Sequence, residues 1–342
     1  MTSKVERSER ISRKIWDHVS RSPLQSLWDF QGVSRITVMK RTFRSFNQDN
    51  LLSRAAELGY YFLFALFPTL VCASSILGFA ARGASSVYSH LLTYLSIVIP
   101  HSAFAIILTT FKETTAKASG GKITLGLAAA LWSASVGFSA IQDAMNVVYK
   151  VTETRSYWKA RGAAILVTLL LSLIVTLTLA SLLAGDFISG ISQHHFAHHF
   201  VRVAVAVASR TIAWGVAAAL LILLFAVIYF FAPDVQHKHW HWLTPGSAIG
   251  IAAWLLASIA LRIYLHFFDS YSLTYGSLGA VIILLTWFYI TGLMLLTGAE
   301  INSEIAAAVA ERQLRAAGTF GEKSQVHGFP EVAPLDQTSG GA

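Results

Sequence analysis

Residues 273–300 read LTYGSLGAVIILLTWFYITGLMLLTGAE, and this stretch decides how the rest of the chain is read. From Ser277 to Thr297 it carries no charge, and a single carboxylate, Glu300, stands where the apolar run stops. An α-helix rises about 1.5 Å per residue, so about 20 apolar residues cross a hydrocarbon layer of about 30 Å. A soluble core has no need of such a run. It reads as a transmembrane helix.

The composition agrees. Of 342 residues, 54% are hydrophobic and 13% charged, with a mean hydropathy of +0.56. Soluble domains are nearer 25% charged. The fold class expected is therefore all-α: a polytopic membrane helix bundle. The net charge of +8 and pI near 9.6 fit a positive-inside bias and attraction to anionic headgroups better than nucleic-acid binding. The single Cys72 excludes an intrachain disulfide and a cysteine-rich metal site. The first thirty residues are polar and basic, without the apolar core of a signal peptide.

Working outward, five further spans are expected near 57–79, 123–149, 163–183, 203–231 and 243–265, with the sixth at 277–300. Residues 1–33 read as a poorly ordered basic tail and 306–342 as a C-terminal tail, Ala-rich and helical at first, then disordered. Residues 34–50 are amphipathic, with Ile36, Met39, Phe43 and Phe46 at helical spacing among Arg35, Lys40, Arg41 and Arg44. That stripe suits either the membrane interface or packing on the bundle. Pro68 should kink the first span. Residues 91–111 are apolar but hold Pro100 and His101. Were they to cross, the basic loop with Lys150, Arg155, Lys159 and Arg161 would fall opposite the basic N-terminal tail. They are expected to be interfacial or re-entrant, which leaves six spans and both termini in the cytoplasm.

Several blocks of this sequence resemble the YihY/BrkB family of bacterial inner-membrane proteins. They are AAELGYYFLFALFP at 55–68, LWSASVGFSAIQDAMNVVYKVTETRSYWKAR at 131–161, FAPDV at 231–235, TPG at 244–246 and SYSLTYGSLGAVIILLTWFYITGLMLLTGAEINSEI at 270–305. The resemblance covers roughly residues 35–305. It implies about six membrane helices in the bacterial cytoplasmic membrane, a part in envelope integrity, and transport or flipping of a lipid or other amphiphile. Members often carry the label ribonuclease BN. The sequence gives that label little support, because no soluble cluster of His and Asp ligands is evident. No enzymatic activity is expected, and no cofactor or metal.

Ionisable groups in or beside spans are costly and usually face a cavity or a partner. Glu57, Tyr60, Tyr61, Asp143, Asn146, Tyr275 and Glu300 are the candidates for a substrate path. Arg41, Arg44, Arg54, Arg155 and Arg161 are the candidates for contact with lipid phosphate. The bland reading of both sets is helix-end interactions that hold the bundle together. His237, His239 and His241 alternate beside Trp240 and Trp242, which reads as interfacial anchoring rather than metal binding. His194, His195, His198 and His199 read as loop composition. Gly246-xxx-Gly250 reads as a packing contact. Partners expected are membrane lipids and a homo-oligomer, with no nucleic acid. The reading set against a transporter is a structural or scaffolding membrane protein.

Overall fold

In the computed structural model, the residues described are 11–19, 27–80, 109, 120–195, 199–235, 239–267 and 277–318. Among them every regular element is a helix. A short helix α1 covers 11–19. It is followed by α2 (Arg35–Gln48), α3 (Leu51–Ala80), α4 (Gly120–Val148), α5 (Tyr157–His195), α6 (His199–Phe231), α7 (Pro245–Phe267) and α8 (Ser277–Ala316). Among the described residues, four stretches are long and apolar enough to cross a membrane: Tyr157–Gly190, Phe200–Phe231, Pro245–Phe267 and Leu278–Ala316. The first two predicted spans fall on α3 and α4, which are 30 and 29 residues long. Residues 91–108, 110–111, Tyr275, His198 and His237 lie outside the described residues.

α8 organises the molecule. It packs against α2, α3, α4 and α7, while α5 and α6 form a hairpin that joins the bundle through α4 and α7. Its 40 residues give a rod about 60 Å long, twice the hydrocarbon thickness. The predicted end at Glu300 is a change of surroundings and not of conformation. Beyond it, INSEIAAAVAERQLRA is rich in strong helix formers, and the helix continues through Ala316.

The continuation of α8 exists because other helices cover it. Ile11, Ile15, Trp16 and Val19 of α1 bury against Ala307 and Ala310. Val33 and Val38 bury against Ile305, Ala308 and Val309. Fully burying a side chain such as Ile15 is worth about 2 kcal/mol. Within the stretch expected to be a tail, residues 11–19 form a helix, since Ile11, Ile15 and Val19 recur one helical turn apart and fold onto α8.

On α2 the apolar stripe is not the face that packs on the bundle, which leaves it free for the other expected role, the membrane interface. The helix docks by Val38, Arg41 and Ser45, whereas Ile36, Met39 and Phe43 are 61%, 68% and 73% exposed. The docked face is largely polar. Ser45 donates to Glu304 at 2.6 Å, and Arg41 forms a buried ion pair with Glu311. The order of partners (Ser45 with Glu304, Arg41 with Glu311) sets α2 antiparallel to the end of α8, as an extension of α3. α3 itself is one continuous helix through Pro68. The stretch Gly185–Phe200, expected to be a loop, is helical through His195.

α7 and α8 meet at a glycine pair. Thr244 caps α7 reciprocally: its hydroxyl accepts the Ser247 N–H at 3.0 Å, and the Ser247 hydroxyl accepts the Thr244 N–H at 2.8 Å. Pro245 takes the first helical position, where a missing N–H costs nothing. Gly246 then sits so close to α8 that a Cβ on it would lie 1.9 Å from the Gly298 carbonyl oxygen. Asn302 accepts the Gly246 N–H at 2.9 Å and donates to Thr244 at 2.9 Å. The Gly246-xxx-Gly250 pair is thus a packing contact, with Gly250 against Met294 and Phe225.

Candidate functional site

The predicted polar residues divide into two groups, and what separates them is the helix each faces. Asp143 is exposed on α4 and lies within electrostatic reach of Glu153, Glu57, Arg54 and Arg155. Glu300 is fully buried on α8 and faces Asp49, Glu304 and Lys150. The two sets of neighbours share no member.

The first group forms a rim. α3 and α4 run antiparallel, fastened where Ser133 donates to the Phe64 carbonyl at 3.4 Å, and this register brings Glu57 opposite Asp143. Tyr60 is 53% exposed beside them, edge-on to Tyr61 with ring centroids 5.7 Å apart. The loop after α4 closes the rim. Arg155 holds Glu153 by two bonds, of 2.6 and 2.7 Å, and lies 3.5 Å from Asp234. Asn146 donates to Glu153 at 2.8 Å and accepts the Asp234 N–H at 2.7 Å. Thr154 donates to Asp234 through both its N–H and its hydroxyl, at 2.8 and 2.6 Å. The VTETR and FAPD blocks are therefore one clamp. The sequence shows Glu153 and Asp234 only as loop acids, and nothing in it signals that they meet.

Arg155, hydrogen-bonded to Glu153, holds that carboxyl below the usual carboxylate range. The stability this contributes is present above the unfolded carboxylate pKa of about 4.3 and is lost as pH falls through the lower folded value. Glu153→Gln should therefore flatten the acid limb of a melting-temperature profile between about pH 5 and 3, which thermal scans across that window would measure.

A track of polar groups leads from the rim along α4. Trp132, Ser139 and Asp143 recur at seven- and four-residue spacing on one helix face. Between them sits Arg161 of α5, 8% exposed, its guanidinium 4.2 Å over the Trp132 ring. It donates to the Trp132 carbonyl at 3.2 Å and to the Ser139 hydroxyl at 3.4 Å, and its Nε has no hydrogen-bond partner. Among the described residues no ion pair to a carboxylate forms at Arg161. The twelve residues from Trp132 to Asp143 span about 16 Å of helix. A cation is thus held down from the rim beside an exposed tryptophan.

The other predicted phosphate contacts differ. Arg41 is 1% exposed and ion-paired with Glu311, so its charge is used inside the protein and it does not reach a headgroup. Arg155 is committed to Glu153 and Asp234. Arg54 faces Asp143, and its Nε is buried without a hydrogen-bond partner. Arg44 is exposed on α2. His239 and His241 share a small cavity of ≈ 50 Å³ with Tyr149, Tyr229 and Asn302. That is room for a few waters, far short of a lipid headgroup. Among the described residues no three His, Cys, Asp or Glu side chains are placed to hold a metal ion.

A multi-helix membrane protein with a polar rim at one end is the class that fold and site define. The Virulence factor BrkB family profile matches residues 42–319, and the chain belongs to that family. It is 30% identical over 268 residues to the putative ribonuclease-like protein YfkH of Bacillus subtilis, covering 78% of this chain and 94% of that protein. It is 26% identical to a UPF0761 membrane protein of Psychromonas ingrahamii, covering 77% of this chain and 85% of that one. It is also 26% identical to a UPF0761 membrane protein of Xanthomonas oryzae, of whose length the matched region spans 60%. No solved structure matches. The chain is a multi-pass protein of the bacterial inner membrane.

Proposed function

We propose that this protein moves an anionic phospholipid, or another anionic amphiphile, between leaflets along the α3–α4 face, and so contributes to envelope integrity. The observation that carries the reading is Arg161. A buried guanidinium in a membrane domain is costly unless an anion meets it, and among the described residues no carboxylate pairs with it. A lipid phosphate supplies that anion. The headgroup follows the polar track from Glu57 and Asp143 past Arg161 to Trp132 and Ser133, while its chains stay in the bilayer. The track is external, with Tyr60, Trp132 and Asp143 exposed along it, and the ≈ 50 Å³ cavity beside His239 and Asn302 is lined by none of its residues. This reading takes six spans with both termini in the cytoplasm, so that the rim opens to the inner leaflet.

A scaffold without a substrate path is the second reading, favoured by the tight Gly246–Gly298 contact and that small cavity. Headgroup-resolved scrambling in proteoliposomes decides between them. Wild-type protein is expected to exceed empty vesicles with anionic lipid, and Arg161→Gln or Asp143→Asn to lower the rate at least severalfold. Well-folded protein with no scrambling in anionic or zwitterionic mixtures would establish the scaffold.

A further inference from the structure

The second polar group lies where three segments converge: the α2–α3 turn, the end of α4 and the middle of α8. Glu300 is 0% exposed, no donor of the protein reaches either of its carboxyl oxygens, and its carboxyl lies within hydrogen-bonding reach of Asp49, a second acceptor that it can bond only if one of the two holds a proton. Glu304, also 0% exposed, accepts from Ser45 on one oxygen, and its other oxygen is unpartnered. Asp49 is ion-paired with Lys150 through one oxygen, and its second is buried and accepts from no donor of the protein. Lys150 is the cation facing Glu300. Arg41 of α2 faces Glu304 but is paired with Glu311. The Tyr149 phenol, just after α4, also faces Glu300, and beyond it stands Tyr229 of α6, which donates to the Leu295 carbonyl at 2.9 Å.

The charges do not balance. Three carboxyls meet one ammonium, and a charged carboxyl buried without hydrogen bonds is strongly disfavoured. A bound cation is one solution, but the described residues offer no three ligating side chains around a point. A proton needs only one oxygen. We propose that Glu300, with Asp49 and Glu304 beside it, is a proton-binding site of this protein. Loss of the proton sets three carboxylates against Lys150 and draws its ammonium from Asp49 towards Glu300.

Such a movement has a route outward. Lys150 closes α4 in a left-handed conformation, φ 53°, uncommon for a lysine. Its N–H bonds the Val147 carbonyl and the Val151 N–H bonds the Asn146 carbonyl, so the turn is a helix-ending motif that glycine usually fills. The ion pair with Asp49 holds it there. The same turn leads to Glu153 and Arg155, which face Asp143. The proton site thus sits on the segment that shapes the rim. It stands on its own geometry and does not depend on a lipid being carried.

The test is infrared difference spectroscopy of the full-length protein in nanodiscs, titrated from acid to alkaline pH. Wild type should show a protonated-carboxyl band that survives at neutral pH and is lost on alkalinisation, and Glu300→Gln should lack it. An unchanged band in Glu300→Gln, or no such band in wild type, overturns the proposal. Should Glu300→Gln fail to fold, Lys150→Met decides. Removing the facing cation should raise the proton affinity of that band about tenfold, and an unmoved titration overturns the assignment.

Discussion

Glu311→Ala should cost about 3–5 kcal/mol, which a thermal melt in detergent would show as a drop on the order of 10 °C. Glu311 is fully buried yet serves two arginines. It pairs with Arg41 from α2, and it accepts from Arg315 one helical turn onward at 3.1 and 2.6 Å. Deleting its carboxylate leaves the Arg41 guanidinium, 1% exposed, enclosed between α2 and α8 without its counterion. Water cannot reach it unless α2 lifts away. The uncovered face would include Val38, Ile305 and Val309, so the terminal lobe loosens as a unit. Replacing both partners, Arg41→Met with Glu311→Leu, should recover most of the loss, because a buried ion pair is worth little more than a well-packed apolar pair. A double variant as unstable as Glu311→Ala would show that something other than the stranded charge holds the lobe.

Gly246→Ala should cost about 3 kcal/mol or more. The added methyl meets the Gly298 carbonyl oxygen at 1.9 Å and Asn302 Oδ1 at 2.6 Å. The first is backbone and cannot rotate aside, so α7 must move off α8. That movement also breaks the bonds from Asn302 to Gly246 and Thr244 that seat the start of α7. Gly298 is boxed in from the other side, where a Cβ would lie 2.3 Å from the Tyr229 hydroxyl. Gly162→Ala on α5 is the matched control. Nothing lies within 4 Å of a Cβ there, and alanine should stabilise the helix by up to about 1 kcal/mol. Comparable losses at both positions in thermal melts would rule out close helix approach as the reason for glycine at 246.

The membrane character is plain in the chain because apolar run length is a local property. The run in α8 is visible to Thr297. The buried helical segment beyond Glu300 has no such local signal. Glu304 and Glu311, seven residues apart, look like a solvated face, and their partners Ser45 and Arg41 are more than 250 positions earlier. For the same reason the docked face of α2 is not legible from its apolar stripe. Its spacing suits the membrane interface or packing on the bundle alike, and only the docked face, an arginine and a serine whose partners lie on another element, decides against packing through Ile36, Met39 and Phe43. In the candidate site, the polar residues near membrane edges can be picked out singly. Their division between the rim at Asp143 and the buried cluster at Glu300 depends on which helix each faces, which the spacing along one chain does not contain. Asp49, the partner of Lys150, gives no signal of its own, because a lone acid before a span looks like a helix end.

Travel of a lipid headgroup along the α3–α4 face is tested most directly by site-specific photo-crosslinking. A photoreactive phenylalanine analogue at Ser133, beside Trp132 on the track, is compared with one at Ile259, 55% exposed on α7 at a similar distance from its helix end. Both proteins sit in vesicles containing a headgroup-labelled anionic phospholipid. Headgroup adducts are expected at position 133, few at 259, and the signal at 133 should be lost when Arg161 is replaced by glutamine. Equal labelling at the two positions, or labelling at 133 that survives Arg161→Gln, would contradict a headgroup path on this face.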